Sequence, residues 1–141
     1  MKSNRFQQLL RQIAVLLLLA LPGMASHPQV SSEPQLKAAF VVNFLKYVEW
    51  PASSASTATI CLFGRDTLGS YLSTYEGRLI GGRELRVRRI NGPDQVAECQ
   101  VLFIPETEDA RVGVVLRWAD GLPVLTVSDV DGFARQNGAI A

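Results

Sequence analysis

Three short apolar runs constrain the fold most: Thr59-Ile60-Cys61-Leu62-Phe63, Val101-Leu102-Phe103-Ile104 and Val124-Leu125-Thr126-Val127. None alternates apolar with polar residues. A strand with one face in water alternates; a strand buried on both faces does not, and such strands belong to parallel sheets covered by helices. Gly64 closes the first run, Pro105 the second and Ser128-Asp129 the third. The order along the chain reads helix, strand, helix, strand, short helix, strand, helix, strand. It predicts one α/β domain, a mostly parallel sheet with helices on its faces and right-handed crossovers.

The first helix is predicted over Pro34 to Pro51, P-Q-L-K-A-A-F-V-V-N-F-L-K-Y-V-E-W-P. Leu36, Phe40, Phe44 and Val48 recur every four residues, and Val41 and Leu45 widen the stripe, so this face is expected to dock on the core. Pro34 suits the first turn, and Glu33 puts negative charge at the helix start. Pro51 disfavours helical geometry at Trp50, so the helix is expected to stop near Glu49 or Trp50. The exit Tyr47-Val48-Glu49-Trp50-Pro51 either packs inward as part of the fold or is displayed to a partner.

Further along, Leu68 to Tyr75 reads as a helix ended by Gly77 and capped by Asp66 or Thr67. The strand–Gly64-Arg65-Asp66–helix order also resembles an anion-cradling turn, with a single glycine to support it. Gly81-Gly82 fits a tight turn before the strand Arg83–Ile90, whose Leu85 and Val87 alternate with arginines. Arg78, Arg83, Arg86, Arg88 and Arg89 lie in this region. They form either a docking patch, centred on Arg86 and Arg88, or a charged strand edge that discourages pairing with other chains. Pro93 or Asp94 opens a short helical turn through Ala97. Ala110, Val114, Val115 and Trp118 give the face of a helix that begins in the acidic Glu106–Asp109 and ends at Asp120-Gly121. Ser128-Asp129 is expected to cap the segment that follows. Gly138-Ala139-Ile140-Ala141 looks like the opening of a further strand, so the domain is expected to be incomplete at its C-terminus, with an apolar edge left bare.

The chain of 141 residues opens with Lys2, Arg5 and Arg11, then the apolar run Ile13–Leu21, then Pro22-Gly23-Met24-Ala25. A basic stretch, a short apolar run and a small-x-small end predict a secretory signal peptide, residues 1–25, cleaved after Ala25. Nine apolar residues are too few to span a bilayer, which takes about 20. Residues 26–33 form a polar tail carrying the only histidine, His27, and 34–141 the domain. Removing the three leader cations from 14 leaves 11 basic residues against 13 acidic, a net charge of −2. Together with export, that argues against nucleic acid as a partner. Cys61 and Cys99 are an even pair in an oxidising compartment and read as one disulfide, the alternative being two buried thiols.

No catalytic set emerges. One histidine in a tail and two separated cysteines make neither a zinc site nor a triad. No G-x-x-x-x-G-K-[ST] or G-x-G-x-x-G occurs, so nucleotide chemistry is unsupported and no cofactor is expected. The carboxylates Glu106, Glu108, Asp109, Asp129 and Asp131 cluster where helix starts explain them. A binding or regulatory role remains.

The leader, the segment ending in Y-V-E-W-P, T-I-C-L-F-G, L-x-G-G-R-x-L-x-V at Leu79–Val87, V-L-F-I-P and S-D-V-D-G-F together resemble the YfiR-like periplasmic proteins, from about Leu36 to the end. The family usually continues into an acidic and apolar hairpin and a further helix beyond this sequence. The resemblance implies a periplasmic repressor that binds the periplasmic domain of an inner-membrane diguanylate cyclase, and so lowers cyclic-di-GMP synthesis and biofilm formation. It further implies that an outer-membrane lipoprotein can sequester the repressor. Carried over by similarity are Cys61 and Cys99 as the stabilising bridge. Tyr47, Glu49, Trp50 and Pro51 match the family motif, as interface or as fold. A homodimer is a further expected partner. The alternative is a periplasmic sensor of a small ligand, or an accessory module for another signalling protein such as a histidine kinase.

Overall fold

The structure is a computed structural model, and it describes residues 31–51, 55–65 and 68–141. Helix α1 spans Glu33–Tyr47, β1 Thr57–Phe63, α2 Leu68–Leu72, β2 Leu79–Ile80, β3 Arg83–Ile90, β4 Val101–Ile104, α3 Val112–Ala119 and β5 Leu125–Ser128. Short 3₁₀ segments follow α2 (Ser73–Tyr75), precede β4 (Pro93–Glu98), precede α3 (Glu106–Arg111) and follow β5 (Phe133–Gln136). The predicted caps Asp66 and Thr67 lie outside the described residues.

The five strands are ordered β2-β3-β1-β4-β5, parallel except for the two-residue β2. Strand β1 is central: Ile60 sits between Val87 of β3 and Val101 of β4. Its residues 58–63 are all buried, as its unbroken apolar run requires. Side chains alternate across the sheet and divide the core in two. Ala58, Ile60, Leu62, Leu85, Val101 and Phe103 meet α1 and α2. Cys61, Phe63, Ile90, Leu102 and Ile104 meet α3 and the Pro93–Glu98 turn. The crossover from β1 to β3 runs one way along the sheet over the first face. The crossovers to β4 and β5 run the other way over the second face. Reversing both direction and face keeps one hand, as parallel crossovers demand.

Glycine decides the β2–β3 hairpin. Gly81 and Gly82 both have positive φ, 56° and 81°, the pair of left-handed residues that a two-residue turn matched to strand twist requires. Beyond its two pairs with β2, β3 would leave an open edge, and there the N–H of Val87 donates to the Glu76 carboxylate at 2.9 Å. At the other end of the sheet Ile140 forms a parallel bridge with Val127: its N–H donates to Thr126 and its carbonyl accepts from Ser128.

Four expectations are corrected. Helix α1 ends at Tyr47, before Glu49 or Trp50, because Val48 is already extended (φ −95°, ψ 133°), while its N–H still closes the last turn onto Phe44. The α1 stripe also faces the other way. Ala38, Val41, Val42 and Leu45 are buried, whereas Leu36 is 52% and Phe40 56% exposed. The inner face is built on a small residue, Ala38, that lets the helix approach the sheet, and only Val41 and Leu45 of the predicted set belong to it. In α3 the buried residues are Val112, Val115 and Ala119, with Val114 exposed and Ala110 outside the helix. Finally, Ser128 does bond locally, its hydroxyl accepting from Val130 N–H, but the Asp129 carboxylate reaches away. It accepts from Glu106 N–H at 2.7 Å and from Lys37 Nζ at 3.0 Å, tying β5 to the end of β4 and to α1.

Candidate functional site

The end of α1 is built by the residues that leave it. After Val48 the chain bends, and Trp50 folds back so that its indole N–H donates to the carbonyl of Leu45 at 3.3 Å. That carbonyl is one of the four that the end of a helix leaves without an intrahelical partner. The Trp50 ring is half-buried against the core beneath α1. A shallow depression beside it is walled by Val48, Glu49, Trp50, Pro51 and the Leu122–Leu125 segment. Glu49 is exposed, and Tyr47 stands out of the surface at 81% exposure. The motif is therefore split by geometry: Trp50 closes the helix, while Tyr47 and Glu49 are presented to solvent.

Tyr47 has apolar company. Leu36, Phe40, Phe44 and Tyr47 fall at spacings of four, four and three along one side of the helix; Leu36, Phe40 and Tyr47 are exposed, and Phe44 turns partly inward against the core. Phe40 and Phe44 also wall a groove of about 360 Å³ with Phe103, Val127, Ile140 and Ala141, closed at one end by Lys37 and Asp129. Lys37 pairs with both Glu33 and Asp129 at 3.0 Å. The hydrogen bond that it donates to Glu33, then that to Asp129, holds its ammonium above its ordinary pKa, against a smaller opposing effect of burial. Sequence reasoning found this stripe but aimed it at the core. The signal that separates the two faces is the second set, Ala38, Val41, Val42 and Leu45, on the far side of the same helix.

Arg86 and Arg88 lie elsewhere. Through its register with β1, Arg88 is opposite Cys61 and so projects on the disulfide face of the sheet, away from α1; Arg86 shares that side. Each is paired within the chain, Arg86 with Glu84 at 2.8 Å and Arg88 with Glu98. Tyr47, Glu49 and Trp50 are thus brought together, and Arg86 and Arg88 are brought together, but the sheet stands between the two groups.

Cys61 on the central strand and Cys99 just before β4 form a disulfide with Cα atoms 5.7 Å apart, both buried in the α3-side core. The bridge pins the Pro93–Glu98 turn to β1, which holds Glu98 beside Arg88. Among the described residues no group of three His, Cys, Asp or Glu side chains could hold a metal ion, and no helix is long and apolar enough to cross a membrane.

A family model described as YfiR/HmsC-like matches residues 34–141, from the first turn of α1 through β5 and the segment after it. The chain belongs to the YfiR/HmsC-like family. This family is periplasmic, regulatory and non-catalytic, and membership is consistent with a periplasmic regulator of cyclic-di-GMP signalling. Among curated proteins none matches the chain. For a YfiR/HmsC-like protein the split in the Y-V-E-W-P segment is informative: part of the motif is accounted for by the fold, and part is left on the surface.

Proposed function

We propose that this YfiR/HmsC-like protein is a periplasmic negative regulator that binds the periplasmic domain of an inner-membrane diguanylate cyclase and represses cyclic-di-GMP synthesis. Family membership over residues 34–141 carries this reading. The displayed apolar face of α1 supports it, since protein contacts favour exposed apolar patches with aromatic anchors. In this reading Leu36, Phe40 and Tyr47 form the centre of the contact, Glu49 and Trp50 its rim, and Arg86 and Arg88 a separate contact on the opposite face. The leader directs export and is cleaved after Ala25, and an outer-membrane lipoprotein competes for the same protein.

The test is co-purification of the protein with the periplasmic segment of a membrane GGDEF protein encoded beside it, together with cellular cyclic-di-GMP after deletion. A stable complex and a rise in cyclic-di-GMP are expected. No complex and unchanged cyclic-di-GMP would remove the reading. The mass of the protein recovered from the periplasm checks the leader, with Ser26 expected as the first residue. A second reading, a sensor of a small ligand, is favoured by one observation, a polar crevice at the C-terminal ends of the parallel strands.

A further inference from the structure

Two Asn-Gly pairs occur in the chain, Asn91-Gly92 after β3 and Asn137-Gly138 after β5. In such a pair the glycine's main-chain nitrogen can attack the asparagine's side-chain carbonyl carbon, because no Cβ on the second residue stands in the way. Both asparagines are exposed, so exposure does not separate them. Their main chains do.

Asn137 is held against the reaction. It adopts the left-handed conformation, φ 71° and ψ 19°, at the end of the Phe133–Gln136 turn. The five-membered ring closes only when the Gly138 nitrogen eclipses the Asn137 Cβ. A ψ near zero eclipses that nitrogen with the Asn137 nitrogen instead and turns it away from the side chain. The Gly138 N–H is also committed, donating to the Phe133 carbonyl at 3.2 Å. The buried Phe133 ring lies so close to Gly138 that a Cβ there would overlap it. Just beyond, the N–H groups of Ala139 and Ile140 donate to the Thr126 hydroxyl and carbonyl. To react, this segment must come off β5.

Asn91 is held differently. Its N–H donates to Gln95 Oε1 at 3.0 Å, and the Gly92 carbonyl accepts from the Gln95 N–H at 3.4 Å. The groups of the peptide between them, the Asn91 carbonyl and the attacking Gly92 N–H, have no partner among the described residues. Gly92 is extended, φ −145° and ψ 163°. The planar Asn91–Gly92 peptide can therefore turn about its two flanking single bonds while both Gln95 bonds stay made.

We infer that Asn91 is a site of spontaneous deamidation in the folded protein and that Asn137 is protected. The Gly92 nitrogen bonds to the Asn91 Cγ and gives up its proton, and the side-chain amide leaves as ammonia, forming a succinimide. Water then opens the ring at either carbonyl, to aspartate or to isoaspartate. Water is the only co-reactant, and nothing is oxidised or reduced. Both products carry a new negative charge. Isoaspartate also routes the main chain through Cβ, lengthening the link between β3 and the Pro93–Glu98 turn that Cys99 ties to β1.

The experiment incubates the purified protein in mildly alkaline buffer, folded and, in parallel, unfolded in urea. Peptide mapping by mass spectrometry then follows deamidation at each asparagine, with chromatography separating isoaspartate from aspartate. In urea both sites should react at similar rates, since each precedes glycine. In the folded protein Asn91 should stay reactive, while Asn137 slows by about tenfold or more because it must wait for local opening. Asn91→Ser should abolish the native-state product, and Asn137→Gly, which suits the left-handed position, should leave it unchanged. An Asn91 that reacts in urea but stays intact in the folded protein overturns the proposal, as does an Asn137 that reacts as fast as Asn91 when folded.

Discussion

The indole N–H of Trp50 donates to the carbonyl of Leu45, so a residue beyond the bend closes the helix that the chain has just left. Trp50→Phe removes the donor and trims a half-buried ring. It is expected to cost about 1 kcal/mol, the usual net worth of such a bond. Trp50→Ala also removes the packing and is expected to cost more, about 2–3 kcal/mol, less than for a fully buried tryptophan. Tyr47→Ala, only three residues away but exposed, should stay within about 0.5 kcal/mol. Urea unfolding of the three variants measures the order. Equal costs at Trp50 and Tyr47 would contradict the split of the motif.

The two faces of α1 make a sharper contrast. Leu45→Ala empties a buried position and is expected to cost about 2–4 kcal/mol. Phe40→Ser removes a ring that is more than half exposed and is expected to leave the unfolding midpoint nearly unchanged. If α1 carries the protein contact, Phe40→Ser should weaken cyclase binding by tenfold or more while the fold survives, as loss of an aromatic anchor does. Strong destabilisation by Phe40→Ser would place that ring in the core after all.

How much of this was readable beforehand depends on range. Features whose cause is local were legible. The non-alternating runs gave buried strands, Gly81-Gly82 gave the hairpin turn, and Cys61 with Cys99 gave the bridge. Features whose cause is distant were not. A four-residue spacing marks a stripe but carries no information on which side meets a sheet, so Leu36 and Phe40 were sent inward. Asp129 looked like a cap because caps are local, whereas its partners Glu106 and Lys37 come from other elements. Arg65, Arg89 and Arg111 share a crevice only because β1 sits between β3 and β4, and strand order is not written in any one segment.

Lys37 supplies a pH dependence whose sign can be worked out. Its pKa is raised from 10.5 in the folded protein, first by Glu33 and then by Asp129. A raised folded value means that the stabilisation is fully present below the unfolded value and is lost as pH rises through the folded one. The Lys37 contribution should therefore be fully present and independent of pH around neutrality, and stability should fall above about pH 10.5. With 39% of the side chain exposed, the whole effect is discounted to within about 1 kcal/mol. Lys37→Met should flatten the alkaline limb of a stability–pH curve relative to the parent. A parent curve already flat above pH 10.5 would count against the pairing with Glu33 and Asp129.

The Cys61–Cys99 bridge closes a loop of sequence separation 38 that contains α2, β2 and β3. In the chain-entropy account such a loop is worth about 3–4 kcal/mol, acting on the unfolded chain rather than through new native contacts. Both sulfurs are buried under α3 and the Pro93–Glu98 turn, so a reductant must wait for that region to open. Reduction is therefore expected to be slow in native buffer and fast in mild denaturant. Once reduced, or in the double variant Cys61→Ala and Cys99→Ala, the protein should keep its far-ultraviolet circular dichroism but unfold at clearly lower urea. The Pro93–Glu98 turn should lose hydrogen-exchange protection before the central strands do, because it depends on the bridge and they are held on both sides. Coincident unfolding curves for oxidised and reduced protein would show that the bridge contributes nothing, and would leave Cys61 and Cys99 as two buried thiols.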